Sequence, residues 1–179
     1  AMDYLTASNR KDLGDAVPAF DDGTLNANGK NVVVVGGGDT AMDCVRTAVR
    51  QGAKSVKCLY RRDRANMPGS QREVKHAEEE GVEFVWLSAP EAFIGNDDGA
   101  VKAVRAVRMH LGVADATGRQ TPREIEGSLA MILRKRPSAA SASRSPSSKL
   151  MAMSCAPFST CERATASATM TIPHASSAA

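Results

Sequence analysis

The last 52 residues of this 179-residue chain contain no glycine, although the sequence has 14. All of them fall between Gly14 and Gly127. Glycine is the default residue wherever the backbone takes a positive φ, so its sudden loss marks an edge in the sequence. Acidic side chains stop at the same place, with only Glu162 after Ser128. Aromatic residues are scarce throughout, at 4%, and no apolar run approaches the roughly 20 residues that cross a bilayer. No basic segment leading into an apolar run opens the chain, so neither a secretory leader nor a membrane partner is expected. Cys44, Cys58, Cys155 and Cys161 form no C-x-x-C pair. Export is therefore not indicated, and reduced thiols in a cytoplasmic setting are the expectation.

What is present divides at the same edge. At 42% hydrophobic and 24% charged the whole resembles an ordinary soluble domain, but the net charge of +3 describes neither part. Residues 1–128 hold 17 Lys and Arg against 19 Asp and Glu, net −2, and residues 129–179 hold 6 against 1, net +5. That second stretch contains 11 Ser and 12 Ala, a composition that buries too little apolar surface to offset chain entropy. A low-complexity, disordered tail over 129–179 follows as the expectation. Six basic residues with Phe158 as the only aromatic give weak phosphate neutralisation and no stacking platform, so nucleic acid is not an expected partner. Cys155, Cys161 and His174 are too few and too oddly spaced for a structural metal site.

The first thirty residues begin with a helix-capable piece and become rich in Asp, Asn and Gly, as a connector does. Val32-Val33-Val34-Val35 then forms a continuous β-branched run, the pattern of a strand buried on both faces. Apolar residues at Ala41, Cys44, Val45, Ala48 and Val49 have helical spacing, and Gly52 follows as a terminator. Ser55–Tyr60 reads as a second strand, Ser70-x-x-Glu73 as a capping box opening a second helix, and Val82–Leu87 as a third strand. This alternation specifies an α/β fold, a Rossmann-like βαβαβ unit with a parallel sheet. Beyond it, residues 92–94, a turn at Asn96–Gly99, the 101–109 run and Gln120–Glu126 suggest an added β-meander, although Val101, Val104 and Val107 recur at a spacing that suits a helix better.

Gly36-x-Gly38-x-x-Ala41 stands between the first strand and the first helix, where a dinucleotide turn belongs. Gly36 permits the tight turn, Gly38 carries no Cβ to hold a pyrophosphate away, and Ala41 lets helix and strand approach. The helix N-terminus offers free N–H groups and a partial positive charge to the phosphates. A Gly-rich turn that binds nothing is the bland alternative. At the end of the second strand, where an NAD-binding unit places a carboxylate for the ribose hydroxyl, the sequence reads Tyr60-Arg61-Arg62. Two guanidinium groups suit a 2′-phosphate, which points to NADP(H). Asp63 could instead serve a 2′-hydroxyl, and the arginines could be a solvated loop. Asp39 is read as an N-cap in preference to a ribose or nicotinamide contact. Arg64 and Arg72 add surface charge, Met67 is a loop contact that could cover the adenosine, and Trp86 is core. His76 and His110 suggest no proton relay, and no nucleophile set assembles, so no catalytic residue and no metal ligand is assigned.

The blocks GKNVVVVGGGDTAMDCVRTAVRQGA and CLYRRDRANMPGSQREVKHAEEEGVEF resemble the NADPH-binding domain of the glutamate synthase small (β) subunit family, which also includes the flavin-bearing part of dihydropyrimidine dehydrogenase. The resemblance runs from Ala1 to about Ser128. It implies a flavoprotein that takes hydride from NADPH onto FAD, with electrons passing through iron–sulfur clusters to a large subunit that makes glutamate. Carried onto this sequence, the pyrophosphate turn falls on Gly36, Gly37, Gly38, Asp39, Thr40 and Ala41, and the 2′-phosphate grip on Arg61 and Arg62. The family places its FAD fingerprint and cluster cysteines ahead of this domain, and continues after it with an apolar strand returning to the sheet and a Gly-Asp flavin segment. Here the sequence after Ser128 reads LAMILRKRPSAASASRSPSSK. The resulting expectation is a connector over 1–30, an NADPH-binding domain over 31–128 and an out-of-frame or mis-spliced tail, rather than an authentic basic one. FAD and iron–sulfur clusters then belong to other parts of a larger enzyme, and this segment alone is inactive. A pyrimidine- or ferredoxin-linked oxidoreductase, or a non-catalytic nucleotide-binding module, stands as the alternative.

Overall fold

The computed structural model describes residues 1–97, 100–133 and 150–155. In chain order the elements are α1 (Met2–Asp12), α2 (Pro18–Asp21), β1 (Asn31–Val35), α3 (Asp39–Arg50), β2 (Ser55–Leu59), α4 (Gln71–Glu79) and β3 (Glu83–Val85), then β4 (Ser88–Gly95), β5 (Val101–Ala114), β6 (Gln120–Glu124), β7 (Ala130–Leu133) and β8 (Leu150–Ser154). A parallel sheet has the order β3-β2-β1-β8, and in an antiparallel sheet β5 pairs with β4, β6 and β7. The α/β architecture with an added meander is thus present.

The valine run explains the layering. Val32 and Val34 sit in one buried cluster with Tyr4, Met42, Val45, Val74 and Ala77, so helices α1, α3 and α4 cover that face. Val33 and Val35 enter a second cluster with Leu59, Val104 and Ala106, so β5 covers the other. A strand flanked on both sides has no polar face, hence four consecutive valines. Each fully buried valine contributes about 1.5 kcal/mol or more. On α3 the stripe Ala41, Cys44, Val45 and Ala48 is fully buried, and Gly52 follows at φ +81°. Arg46, from the opposite side of that helix, pairs with Glu73 and with Glu80 across to α4. The Arg46 guanidinium, as hydrogen-bond donor, holds the Glu80 carboxyl below the usual carboxylate range.

Several expectations are corrected. The capping box does not form: Ser70 occupies the N-cap position without a side-chain cap, its N–H donates to Asp39, and Glu73 pairs with the guanidinium of Arg46. The third strand is shorter than Val82–Leu87. Leu87 adopts φ +51°, and the chain turns there, with Leu87 N donating to Arg62 O at 3.1 Å and Ser88 N to Tyr60 O at 3.0 Å. The three-residue valine spacing in 101–107 belongs to a strand. Lys102 is the extra residue where the β4–β5 register shifts, which moves Val101 out of step with Ala103 and Val104.

The connector expected over 1–30 contains two helices, and α1 is fastened to the domain. Gln51 accepts hydrogen bonds at 2.9 Å from Tyr4 Oη and from Ala27 N, and donates to Ser8 Oγ at 2.9 Å. The tail needs the largest correction. Residues Ala130–Leu133 pair with β5, and Leu150–Ser154 pair in parallel with β1 from Asn31↔Leu150 to Val35↔Ser154. The apolar strand returning to the sheet is therefore supplied by Leu150-Met151-Ala152-Met153-Ser154, and Met153 is buried in the helix-side cluster. Averaging over 51 Ser- and Ala-rich residues had hidden this short apolar run. Residues 134–149 and 156–179, with Cys161 and His174, lie outside the described residues, as do Asp98 and Gly99 of the expected 96–99 turn.

Candidate functional site

Sheet order locates the site before any side chain is considered. From β1 the chain moves through α3 to β2 on one side, and β8 lies on the other. The carboxyl end of β1 is thus a point where strand order reverses, the place at which open α/β sheets leave a crevice for ligands. Gly36 follows β1 directly, and Cys155 follows β8, its N–H donating to Val35 O at 2.9 Å.

The turn Gly36–Ala41 is built as its sequence requires, although for reasons that differ at each glycine. Gly36 has φ +145°, and a Cβ there would stand 3.0 Å from the Cβ of Cys155. At Gly37 a Cβ would lie 2.5 Å from ring carbons of Tyr60, whose ring fills that space. Around Gly38 nothing comes within 4 Å of the Cβ position, so its backbone is open to an approaching group. Gly38 is the N-cap of α3 in extended conformation with no side chain capping that end, which leaves the Asp39 and Thr40 N–H groups without an intrahelical acceptor, while Ala41 N donates to Gly38 O at 2.9 Å. Thr40 and Ala41 complete that turn, and Ala41 is fully buried, with its Cβ 3.6 Å from the position a Gly36 Cβ would take.

Asp39 is not the helix cap expected of it. Its Oδ1 accepts a hydrogen bond at 3.1 Å from the backbone N–H of Ser70, and Gly69 N donates to Gly37 O at 2.9 Å. The segment before α4 therefore lies across the dinucleotide turn. Gly69 is needed for this approach, since a Cβ there would come within 2.9 Å of Gly37 O.

Because Val35 pairs with Leu59, the residues after β2 emerge beside the turn. Arg61 and Arg62 are the first charged residues there, and neither guanidinium makes a hydrogen bond or ion pair among the described residues. Arg62 Nε is buried with no partner. Arg64 differs, since it pairs with Glu78 at 2.8 Å and reaches Gln71. Asp63 is engaged too, with Oδ1 accepting from Asn66 N at 2.9 Å and from Asn66 Nδ2 at 2.8 Å. The structure thus separates two uncommitted guanidinium groups from neighbours that build the loop.

Sequence reasoning missed Tyr60 as an organiser. Its ring packs on Gly37, meets Trp86 edge-on at 6.4 Å, and its hydroxyl donates to Asn66 O at 3.1 Å. The signal available was an aromatic residue immediately before the arginines. Met67 is buried in the helix-side cluster rather than lying over the loop, and Trp86 stacks on Phe84 at 4.8 Å. Under the turn, Cys58 donates to Gly36 O at 3.3 Å, and burial pushes its thiol up to about 12. The Cys44 thiol is raised by its hydrogen bond with Cys155, and the Cys155 thiol is lowered by the same bond. A separate hollow of about 370 Å³, lined by Trp86, Leu87, Ser88 and Arg108 among others, shares no residue with the dinucleotide turn. Among the described residues no group of three or more His, Cys, Asp or Glu is placed to hold a metal ion, and no helix is long and apolar enough to cross a membrane.

Comparison with known proteins decides the family. The model for pyridine nucleotide-disulphide oxidoreductases matches residues 6–131. The chain belongs to that family. Within the pyridine nucleotide-disulphide oxidoreductases, it is 75% identical over 128 residues to the glutamate synthase [NADPH] small chain of Azospirillum brasilense, covering 72% of this chain and 26% of that protein. It is 50% identical over 128 residues to the glutamate synthase [NADPH] small chain of Escherichia coli K12, covering 72% and 27%. The likeness read from the GGGDTAMDC and YRRD blocks is therefore real, and the chain spans about a quarter of the length of these relatives. Among solved structures, thioredoxin reductase of T. acidophilum aligns with a TM-score of 0.43 at 19% identity, over 59% of this chain and 31% of that one.

Proposed function

We propose that residues 31–128 form the NADPH-binding domain of an oxidoreductase of the glutamate synthase small-chain type. The observation that carries this reading is the pair of unengaged guanidinium groups on Arg61 and Arg62, next to a glycine turn whose outer face is open at Gly38. The donor set fits the cofactor. Gly36, Gly37, Gly38, Asp39, Thr40 and Ala41 would form the pyrophosphate turn, with the Asp39 and Thr40 N–H groups at the start of α3 as donors, since Gly36 N donates to Leu59 O and Ala41 N to Gly38 O. Arg61 and Arg62 would grip the 2′-phosphate, where the orphaned Arg62 Nε awaits an acceptor. Asp63 accepts both Asn66 hydrogen bonds through Oδ1, a loop-building role that leaves the arginines as the uncommitted groups and favours NADP(H) over NAD(H).

When bound, NADPH supplies a hydride. This chain's residues bind and orient it, and no catalytic residue is assigned. The acceptor in this reading is FAD held outside the matched segment, from which electrons pass to a glutamate synthase large subunit. Support for that wider role is the identity to two small chains across 72% of the chain. Iron–sulfur clusters belong to the family resemblance alone, and the segment taken by itself is inactive in this reading because it holds one half of a hydride-transfer pair.

Replacing Arg61→Ala together with Arg62→Ala tests the site. Loss of two charge-assisted hydrogen bonds weakens NADPH binding by about 10-fold or more, while NADH affinity stays within about twofold. Titration calorimetry on the unmodified and doubly substituted chains reads both. Equal losses for the two nucleotides, or no loss for either, contradict the assignment.

A further inference from the structure

Resting on the NADPH reading, a second question is what keeps the 2′-phosphate grip and the pyrophosphate turn at one separation. They belong to different segments: one follows β1, the other β2. The loop carrying Arg61 and Arg62 follows β2 at Tyr60, is tied at Arg62 O by the N–H of Leu87, and runs on to α4. Three contacts tie it to the dinucleotide turn. Tyr60 packs on Gly37 and donates to Asn66 O at 3.1 Å. Gly69 N donates to Gly37 O at 2.9 Å. Ser70 N donates to Asp39 Oδ1 at 3.1 Å. Only the last of these runs through a side chain of the dinucleotide turn. A carboxylate at that position repels phosphate, so a purely anion-binding turn has no use for it. Its engagement by Ser70 supplies a physical reason for its presence.

We propose that Asp39 is a positioning residue for cofactor selectivity: by accepting the Ser70 N–H it latches the 61–70 loop across the turn and holds the arginines at the distance that suits a 2′-phosphate. The latch is dispensable for folding. Arg46 independently ties α3 to α4 through Glu73 and Glu80, and Met67 anchors the loop in the core.

The test compares the 179-residue chain with Asp39→Ala and Asp39→Asn, measuring NADPH and NADH dissociation constants and amide exchange at Gly69 and Ser70. Asp39→Asn keeps a side-chain oxygen acceptor and removes the charge, and Asp39→Ala removes both. The NADPH-to-NADH preference falls on the order of three- to tenfold in Asp39→Ala, about the worth of one hydrogen bond, and is retained in Asp39→Asn. Ser70 amide exchange accelerates in Asp39→Ala alone. An unchanged preference in both variants, or an equal fall in both, overturns the proposal, the second because charge rather than the latch would then be responsible. If the unmodified chain has no preference for NADPH, the selectivity role fails together with the NADP(H) reading. The latch is then judged by exchange: protection of Ser70 lost only in Asp39→Ala upholds it as a loop anchor, and an unprotected Ser70 in the unmodified chain overturns it.

Discussion

Glycine at 36, 37 and 38 has three different surroundings. Gly36 needs its positive φ and the space beside Cys155, Gly37 yields to the Tyr60 ring, and Gly38 faces outward. These demands predict different costs on substitution. Gly37→Ala forces the Tyr60 ring aside and should destabilise the chain by about 1–3 kcal/mol through overpacking. Tyr60→Leu should remove most of that cost when combined with it, a coupling that urea denaturation of the two single variants and the double variant measures. Additive losses would show that the ring is not the obstacle. The positive φ of Gly36 and the open space at Gly38 agree with the dinucleotide spacing, because the turn itself imposes them. The packing at Gly37 was not legible, because its constraint comes from a residue 23 positions later, just after β2. Asp39 was misread for a similar reason: a carboxylate at a helix start has a local use as a cap, and the sequence does not reveal that Ser70 lies closer.

At the level of elements, local patterns that repeat over several residues were reliable guides and those that depend on distant pairing were not. β1, α3 and β2 lie where their valine run and apolar stripe place them. The meander is bulged, so its apolar residues fall out of strict alternation and imitate a helical period. β8 was hidden because five residues in a Ser- and Ala-rich stretch carry little weight until β1 offers them an unpaired edge. That strand predicts protected amides within Leu150–Ser154 in hydrogen-exchange measurements. Truncating Met153→Ala should cost about 2 kcal/mol or more, given its burial in the helix-side cluster. Uniformly fast exchange across 150–154, with no loss of stability in Met153→Ala, would remove β8 from the sheet and with it the strand reversal at the end of β1.

Across the whole molecule, the edge marked by the last glycine separates two contributions to one sheet. The family match spans residues 6–131, both arms of the candidate site lie before Ser128, and Leu150–Ser154 flank β1 on the side opposite β2. The dinucleotide turn was legible because such turns impose spacing on sequence, and the family through the resemblance carried by the GGGDTAMDC and YRRD blocks. The proposed NADP(H) preference rests on Arg61 and Arg62 standing where a carboxylate would serve NAD(H), and the lack of partners for their guanidinium groups among the described residues supports it in a way sequence cannot. The most direct measurement is the affinity of the 179-residue chain for NADPH and for NADH under identical salt. A 2′-phosphate held by two guanidinium groups predicts that NADPH binds at least about 10-fold more tightly; equal affinities would contradict the account.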